Sequence, residues 1–285
     1  MVGYLKRVLM KKPLQNMSKV NLSIWNYAYP LNQELIDKNY SEFYDIIKKF
    51  GTEIIELKIE DNKEELCDSV FTHDPSLVIN EGAIILNMGK KLRKKEAKEH
   101  EKLYNSINIP IIGKIYEKAT VEGGDCLWIN NKTLLVGESF RTNKAGIEQL
   151  TKILNAVGIN LIPIKLPQYK KSNSCFHLMS LVSILDHDLV IGCLTLLPED
   201  LIETFKQHNI KLIGIPEDEY FKSKTLSVNI LALSPRELIM MQGFPKTEKL
   251  LIKEGAKINI FNGSELCIKA EGGPTCLTRP LWRED

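Results

Sequence analysis

Cys276 is the residue with the most reactive potential in this chain. It follows Gly272, Gly273 and Pro274, so the backbone turns sharply just before it, and a thiol presented on a turn can act as a nucleophile. Taken alone, a cysteine is more often a small buried hydrophobe. A thiol nucleophile needs a base. His177, in the run Phe176–Met179, is one candidate, because a single reactive cysteine and a distant histidine form the usual pair of intracellular thiol enzymes. Its apolar neighbours also suit a core histidine. His73, next to Asp74, is the rival base. His100, His187 and His208 lie in polar settings and are expected to be solvated.

The acids fall in short groups. Glu122 and Asp125 flank Gly123 and Gly124, so close-approaching backbone stands beside two carboxylates, which suits a cation or, equally, a solvated loop. Asp68 and Asp74 lie in one further stretch, and Pro75 after Asp74 favours extended backbone there. Arg93 sits in a basic and acidic run that reads as a solvated helix face. Arg141, in Gly137–Asn143, reads as a surface arginine beside a helix cap.

Something must bring these scattered residues together. Apolar pairs of runs split by turn residues occur at 77–86, 126–137, 182–192 and 229–241, and each predicts a hairpin. A helix-period segment follows each hairpin, and a short apolar strand follows each helix. Pro198 stands where a first helical turn begins, and Gly255 where a helix ends. The N-terminal stretch supplies a fifth copy whose hairpin is split across the chain: a strand at 7–13, a helix at 33–51 and a strand at 52–59. Five such units with no capping repeat predict a closed ring in the α+β class. The segments 66–75, 120–128, 172–180 and 269–281 are then expected to converge at one end. Length alone suggests about two domains, but a ring makes residues 1–285 a single domain.

Composition narrows the classes. Lys plus Arg is 38 and Asp plus Glu is 36, a net charge of +2, which offers no broad basic face for nucleic acid. A hydrophobic share of 44% excludes a disordered chain. No apolar run is long enough to span a membrane, and the N-terminus lacks the apolar core of a signal peptide. The six cysteines (67, 126, 175, 193, 267 and 276) form no CxxC pair, which predicts reduced cytoplasmic thiols without a disulfide framework or a structural zinc site.

Taken together, the runs FTHDP, VEGGD, GESFRTN, FHL and EGGPTCLTRPL resemble those of the guanidino-group-modifying enzymes, the pentein superfamily, across nearly the whole chain. The dimethylarginine dimethylaminohydrolase branch is nearest and arginine deiminase next. That resemblance implies an α/β propeller of five ββαβ units. It implies Cys276 as nucleophile, His177 as general acid/base and Glu122 as the acid that orients it. Asp74 would hold guanidinium nitrogens, Arg93 and Arg141 the substrate α-carboxylate, and Asp68 the amino-acid head. His73 and Ala270 correspond to further substrate contacts. The resemblance also implies a small guanidino amino acid as substrate, no cofactor or metal, and a homodimer. Arginine deiminases carry a second acid two residues after the histidine; here that position is Met179. The thioether suits an N-substituted guanidinium better than a free one. The rivals are arginine deiminase, an amidinotransferase, and the non-catalytic pentein-fold binding proteins, which lack the nucleophile and its histidine.

Overall fold

The computed structural model describes residues 2–25, 27, 29–59, 64–168 and 176–284. The chain begins with strand β1 (Tyr4–Met10), the short helix α1 (Leu22–Trp25), helix α2 (Gln33–Lys49) and β2 (Glu53–Glu56). Next come β3 (Ser76–Ile79), β4 (Gly82–Ile85), α3 (Glu96–Ser106) and β5 (Ile111–Lys114). The third unit is β6 (Cys126–Asn130), β7 (Thr133–Glu138), α4 (Lys144–Asn155) and β8 (Asn160–Lys165). The fourth is β9 (Val182–Asp186), β10 (Leu189–Gly192), α5 (Glu199–Gln207) and β11 (Lys211–Gly214). After α6 (Glu217–Lys222) the fifth follows: β12 (Leu231–Ser234), β13 (Glu237–Met241), α7 (Pro245–Lys253) and β14 (Lys257–Phe261). The last element is β15 (Arg279–Glu284).

Among the described residues, fifteen strands form five three-stranded sheets. In each, a hairpin supplies an antiparallel pair and a helical crossover returns the third strand parallel to the second. The N-terminal unit obeys the same rule across the whole length of the chain. β15 pairs antiparallel with β1, Val8 facing Pro280, and β2 lies parallel on the other side of β1. The split hairpin expected from the sequence is this closure. The architecture is the expected α/β propeller of five ββαβ units.

The helices form for legible reasons. Asn143 caps α4 by accepting from the Gly146 N–H at 2.8 Å, and Ile147, Leu150 and Leu154 turn one face of that helix into the core. Pro245 opens α7 at its first position, and Gly255 leaves it with φ +83°. Pro198 is the residue capping α5 rather than part of its first turn. The charged run around Arg93 divides into a 3-10 turn, Lys91–Arg93, and α3. No helix among the described residues is long and apolar enough to cross a membrane.

The first strand of every sheet faces the ring axis. Val78, Leu127, Ile184, Leu231 and Leu281, one from each, line a central cavity of about 340 Å³. His73, Met179 and Thr275 line the same cavity where it meets the residues singled out above. The short segments that lead into the first strands therefore gather at that end of the axis.

Candidate active site

The convergence is built from backbone before side chains. The Gly123 N–H donates to the Asp74 carbonyl at 3.0 Å, and the His73 N–H to the Cys276 carbonyl at 3.2 Å. These bonds tie together the lead-in segments of β3, β6 and β15. Asp125 ties in a fourth: its carboxylate accepts from the Leu178 N–H and the Ser139 hydroxyl, both at 2.9 Å. Fully buried, and with its pKa pushed up to about 6 by that burial, Asp125 is an anchor for the turn after His177 rather than part of a cation site. Thr72–Pro75 is a turn rather than the extended segment expected.

Two doubled glycines make the approach possible. A Cβ on Gly124 would stand 2.7 Å from His177 Nδ1, and one on Gly273 2.5 Å from the Asn229 side chain. Cβ atoms cannot approach so closely, so both positions need glycine.

His177 and Glu122 form a couple. The His177 Nε2 lies 2.7 Å from Glu122 Oε2, with exposures of 4% and 0%. A carboxylate can only accept, so the ring proton sits on Nε2. Glu122 Oε1 also accepts from the Lys90 backbone N–H at 2.8 Å, and Arg141 reaches Oε2 at 3.2 Å. Burial pushes the Glu122 pKa up, but the His177 bond and the Arg141 charge outweigh it, so the group stays ionised well below its usual range. His73 is a different kind of histidine. Its Nδ1 donates to the Thr278 carbonyl at 2.8 Å, and burial, with Arg279 nearby, lowers its pKa to about 3. As a rival base it is therefore weak.

Asp74 accepts from the Gly124 N–H at 2.9 Å on one oxygen and from Arg93 at 2.5 Å on the other. Burial raises its pKa, and the Arg93 charge more than reverses this. Each oxygen keeps lone-pair capacity for further N–H donors. One atom each from Asp74, Glu122 and His177 lie within 4.8 Å of one another, a spacing that suits a metal ion geometrically. The two carboxylates are however already committed to N–H donors, which is the chemistry a guanidinium supplies.

Three expectations drawn from local sequence are corrected here. Arg93 is not on a solvated face: it is 5% exposed and grips Glu96 through Nε and Nη2 at 2.8 to 3.1 Å. Arg141 is 6% exposed rather than a surface residue. His100 is buried, beside Ser76 at 3.0 Å, and burial lowers its pKa to about 3. Arg93 thus pairs with Asp74, the carboxylate expected to meet the guanidinium, and Arg141 with Glu122, the acid expected to orient His177, so the acidic and basic ends interlock.

Cys276 stands between two small cavities. One, about 20 Å³, is shared with His177, Met179, Leu226 and Asn229. The other, about 40 Å³, holds Asp68, Asp74, Lys90, Arg93, Arg141 and Ala270 beneath Trp25 and Tyr27. Asp68 accepts from the Tyr27 hydroxyl at 2.5 Å and from Lys90 Nζ at 2.6 Å. The thiol is half-buried, and the Asn229 amide donates to it at 3.2 Å. Cys67, Cys126, Cys193 and Cys267 are buried free thiols; Cys175, and the start of the segment 172–180, lie outside the described residues. Sequence reasoning missed Lys90, hidden in a lysine-rich run, along with Glu96, Tyr27 and Asn229. Only position could have flagged Asn229, since it leads into a first strand as Asp74, Glu122, His177 and Cys276 do.

Known proteins resemble this chain along most of its length. A sequence-family model described as arginine deiminase matches residues 63–198. The arginine deiminase of Mycoplasma capricolum is 27% identical over 290 residues, 85% of this chain and 70% of the relative. The N(G),N(G)-dimethylarginine dimethylaminohydrolase of Pseudomonas aeruginosa is 29% identical over 217 residues, 75% of this chain and 77% of the relative. A solved structure of the Pseudomonas aeruginosa enzyme, a cysteine-to-serine mutant complexed with citrulline, superposes with a TM-score of 0.79 at 22% identity, covering 97% of this chain and 99% of that one. At that identity the likeness speaks for the fold.

Proposed function

The chain belongs to the guanidino-group-modifying (pentein) superfamily, and we propose that it hydrolyses the guanidinium of arginine or an N-methylated arginine to citrulline, as one catalytic domain. The observation that carries this is the meeting of a half-buried thiol, a His177–Glu122 couple and the Asp74 carboxylate at one end of the axis.

A guanidinium carbon is electron-rich by resonance and resists water, so covalent catalysis by a thiolate divides the reaction into two easier steps. Asp74 accepts N–H bonds from the substrate guanidinium and fixes the carbon against Cys276. The Cys276 sulfur forms the C–S bond, and the C–N bond to the departing nitrogen breaks as His177 protonates it. Ammonia, methylamine or dimethylamine leaves. His177 then takes a proton from water, the hydroxide adds to the same carbon, and the C–S bond breaks, releasing citrulline and the thiolate. The sequence needs no external oxidant or metal. Lys90, Arg93, Arg141 and Asp68 line the cavity on the other side of the thiol, where a zwitterionic amino-acid head finds both signs of charge. His73 and Ala270 border the thiol's two cavities as minor contacts.

Met179 favours an N-substituted substrate. It lines the cavity that His177 shares with Cys276, together with Leu226, so the leaving-group side presents apolar surface where a methyl group loses less than a bare N–H would. Arginine deiminase is the second reading, supported by the family model that matches residues 63–198. Citrulline release from arginine, monomethylarginine and asymmetric dimethylarginine, measured side by side with agmatine as a carboxylate-free control, separates the two. Methylated substrates are expected to lead and agmatine to fail. Arginine turning over as fast as its methylated forms would favour the deiminase, and rapid agmatine turnover would remove the roles given to Arg93 and Arg141.

A further inference from the structure

We propose that Asn229 is a positioning residue for the nucleophile: its side-chain amide fixes the Cys276 sulfur and favours the thiolate over the thiol. The proposal rests on the reading of Cys276 as nucleophile. The amide is buried, with 6% exposure, and both of its ends are used. Its Oδ1 accepts from the Thr275 backbone N–H at 2.9 Å. That bond settles the orientation of the amide, because a backbone N–H can only donate. Nδ2 must then point the other way, and it meets Cys276 Sγ at 3.2 Å. One side chain thus holds the backbone just before the nucleophile and the sulfur itself.

Two independent features support the assignment. Gly273 leaves room for the amide: a Cβ there would meet the Asn229 side-chain carbon at 2.5 Å and its oxygen at 2.6 Å. The second is positional. Asp74, Glu122, His177 and Cys276 each lie just before the first strand of a sheet, and Asn229 holds that place before β12. Asn229 is the member from the fifth unit, and its amide meets the thiol directly.

The chemistry follows from the donor. An N–H aimed at sulfur is satisfied better by a thiolate than by a thiol, and a bond to the charged form lowers its cost. A neutral amide keeps its donor at every working pH, so its contribution does not depend on the protonation of His177.

The test reads the thiol rather than turnover. Iodoacetamide modification of the peptide containing Cys276 is followed by mass spectrometry from pH 5 to 10 in the full-length protein, for wild type, Asn229→Asp and Asn229→Ser. Asn229→Asp keeps an acceptor for Thr275 while removing the donor to sulfur, and Asn229→Ser keeps a smaller polar group without a negative charge. The alkylation midpoint is expected to rise by about one pH unit in Asn229→Asp, equivalent to roughly tenfold slower modification at neutral pH, and by less in Asn229→Ser. If both variants give the wild-type profile, or a folded variant shifts it downward, the proposal is overturned. Alkylation needs no substrate, so a wild type that releases no citrulline leaves this test intact. Where citrulline is released, kcat is expected to fall with KM little changed.

Discussion

Glu122 is saturated by the Lys90 N–H, Arg141 and the His177 ring, so its work at the residue scale is to hold that ring and balance its charge. Glu122→Gln is expected to lower kcat by about 10²- to 10⁴-fold with a smaller change in KM, as steady-state citrulline release would show. Asp74 makes a pH-dependent contribution to stability. Its carboxyl is held below the ordinary value of about 3.9 by Arg93, so the stabilisation is complete above that value and disappears as the pH falls through the lower folded one. The Tm difference between wild type and Asp74→Asn should therefore be largest near neutrality and shrink below about pH 4. A constant difference across that range would remove the ion pair from the explanation. At this scale the sequence was most informative where a motif was local. Cys276 beside its glycines, and Glu122 beside Gly123, could be picked out because their turn chemistry is written in adjacent letters. Arg93, Arg141 and His100 misled because their local context is polar, and burial is decided by elements far away in the chain.

Elements position these groups through close backbone contact, so small changes at the crossings matter. Gly124→Ala sets a methyl 2.7 Å from the His177 ring and 3.1 Å from Asp74. The expected cost is about 1–3 kcal/mol of stability and a fall in kcat on the order of 10²-fold, read by denaturant unfolding and turnover on the same preparation. Arg93 joins the turn before α3 to both Glu96 and Asp74. Removing it strands two buried carboxylates, so Arg93→Met should cost about 3–5 kcal/mol; a loss below 1 kcal/mol would show that the carboxylates find other partners. The hairpins and crossovers were legible because period-2 and period-3.6 patterns alternate between clear turn residues. Helix α6 was not, since six residues are too few to establish a period, and neither was the division of the charged run before α3.

The whole molecule depends on a single closure. β15 begins three positions after Cys276 and pairs with β1 at the opposite end of the chain, so ring formation and placement of Cys276 are one event. Truncation after Thr278 is expected to abolish cooperative thermal melting and to expose the β1 amides to rapid hydrogen exchange; an intact melting transition would contradict this. The repeat made the ring readable from sequence, and the split fifth unit told where it closes. The interlocking of Arg93 and Arg141 with Asp74 and Glu122 was beyond reach, because it depends on how five lead-in segments pack around one axis. What the ring is for is tested most directly by citrulline release from asymmetric dimethylarginine, compared between wild type and Cys276→Ser purified in parallel. Wild type is expected to give citrulline and dimethylamine in equal amounts, while Cys276→Ser gives none and is still stabilised against heat by the substrate. Undiminished release by Cys276→Ser, or no citrulline from wild type with any of the three arginines, would contradict the assignment.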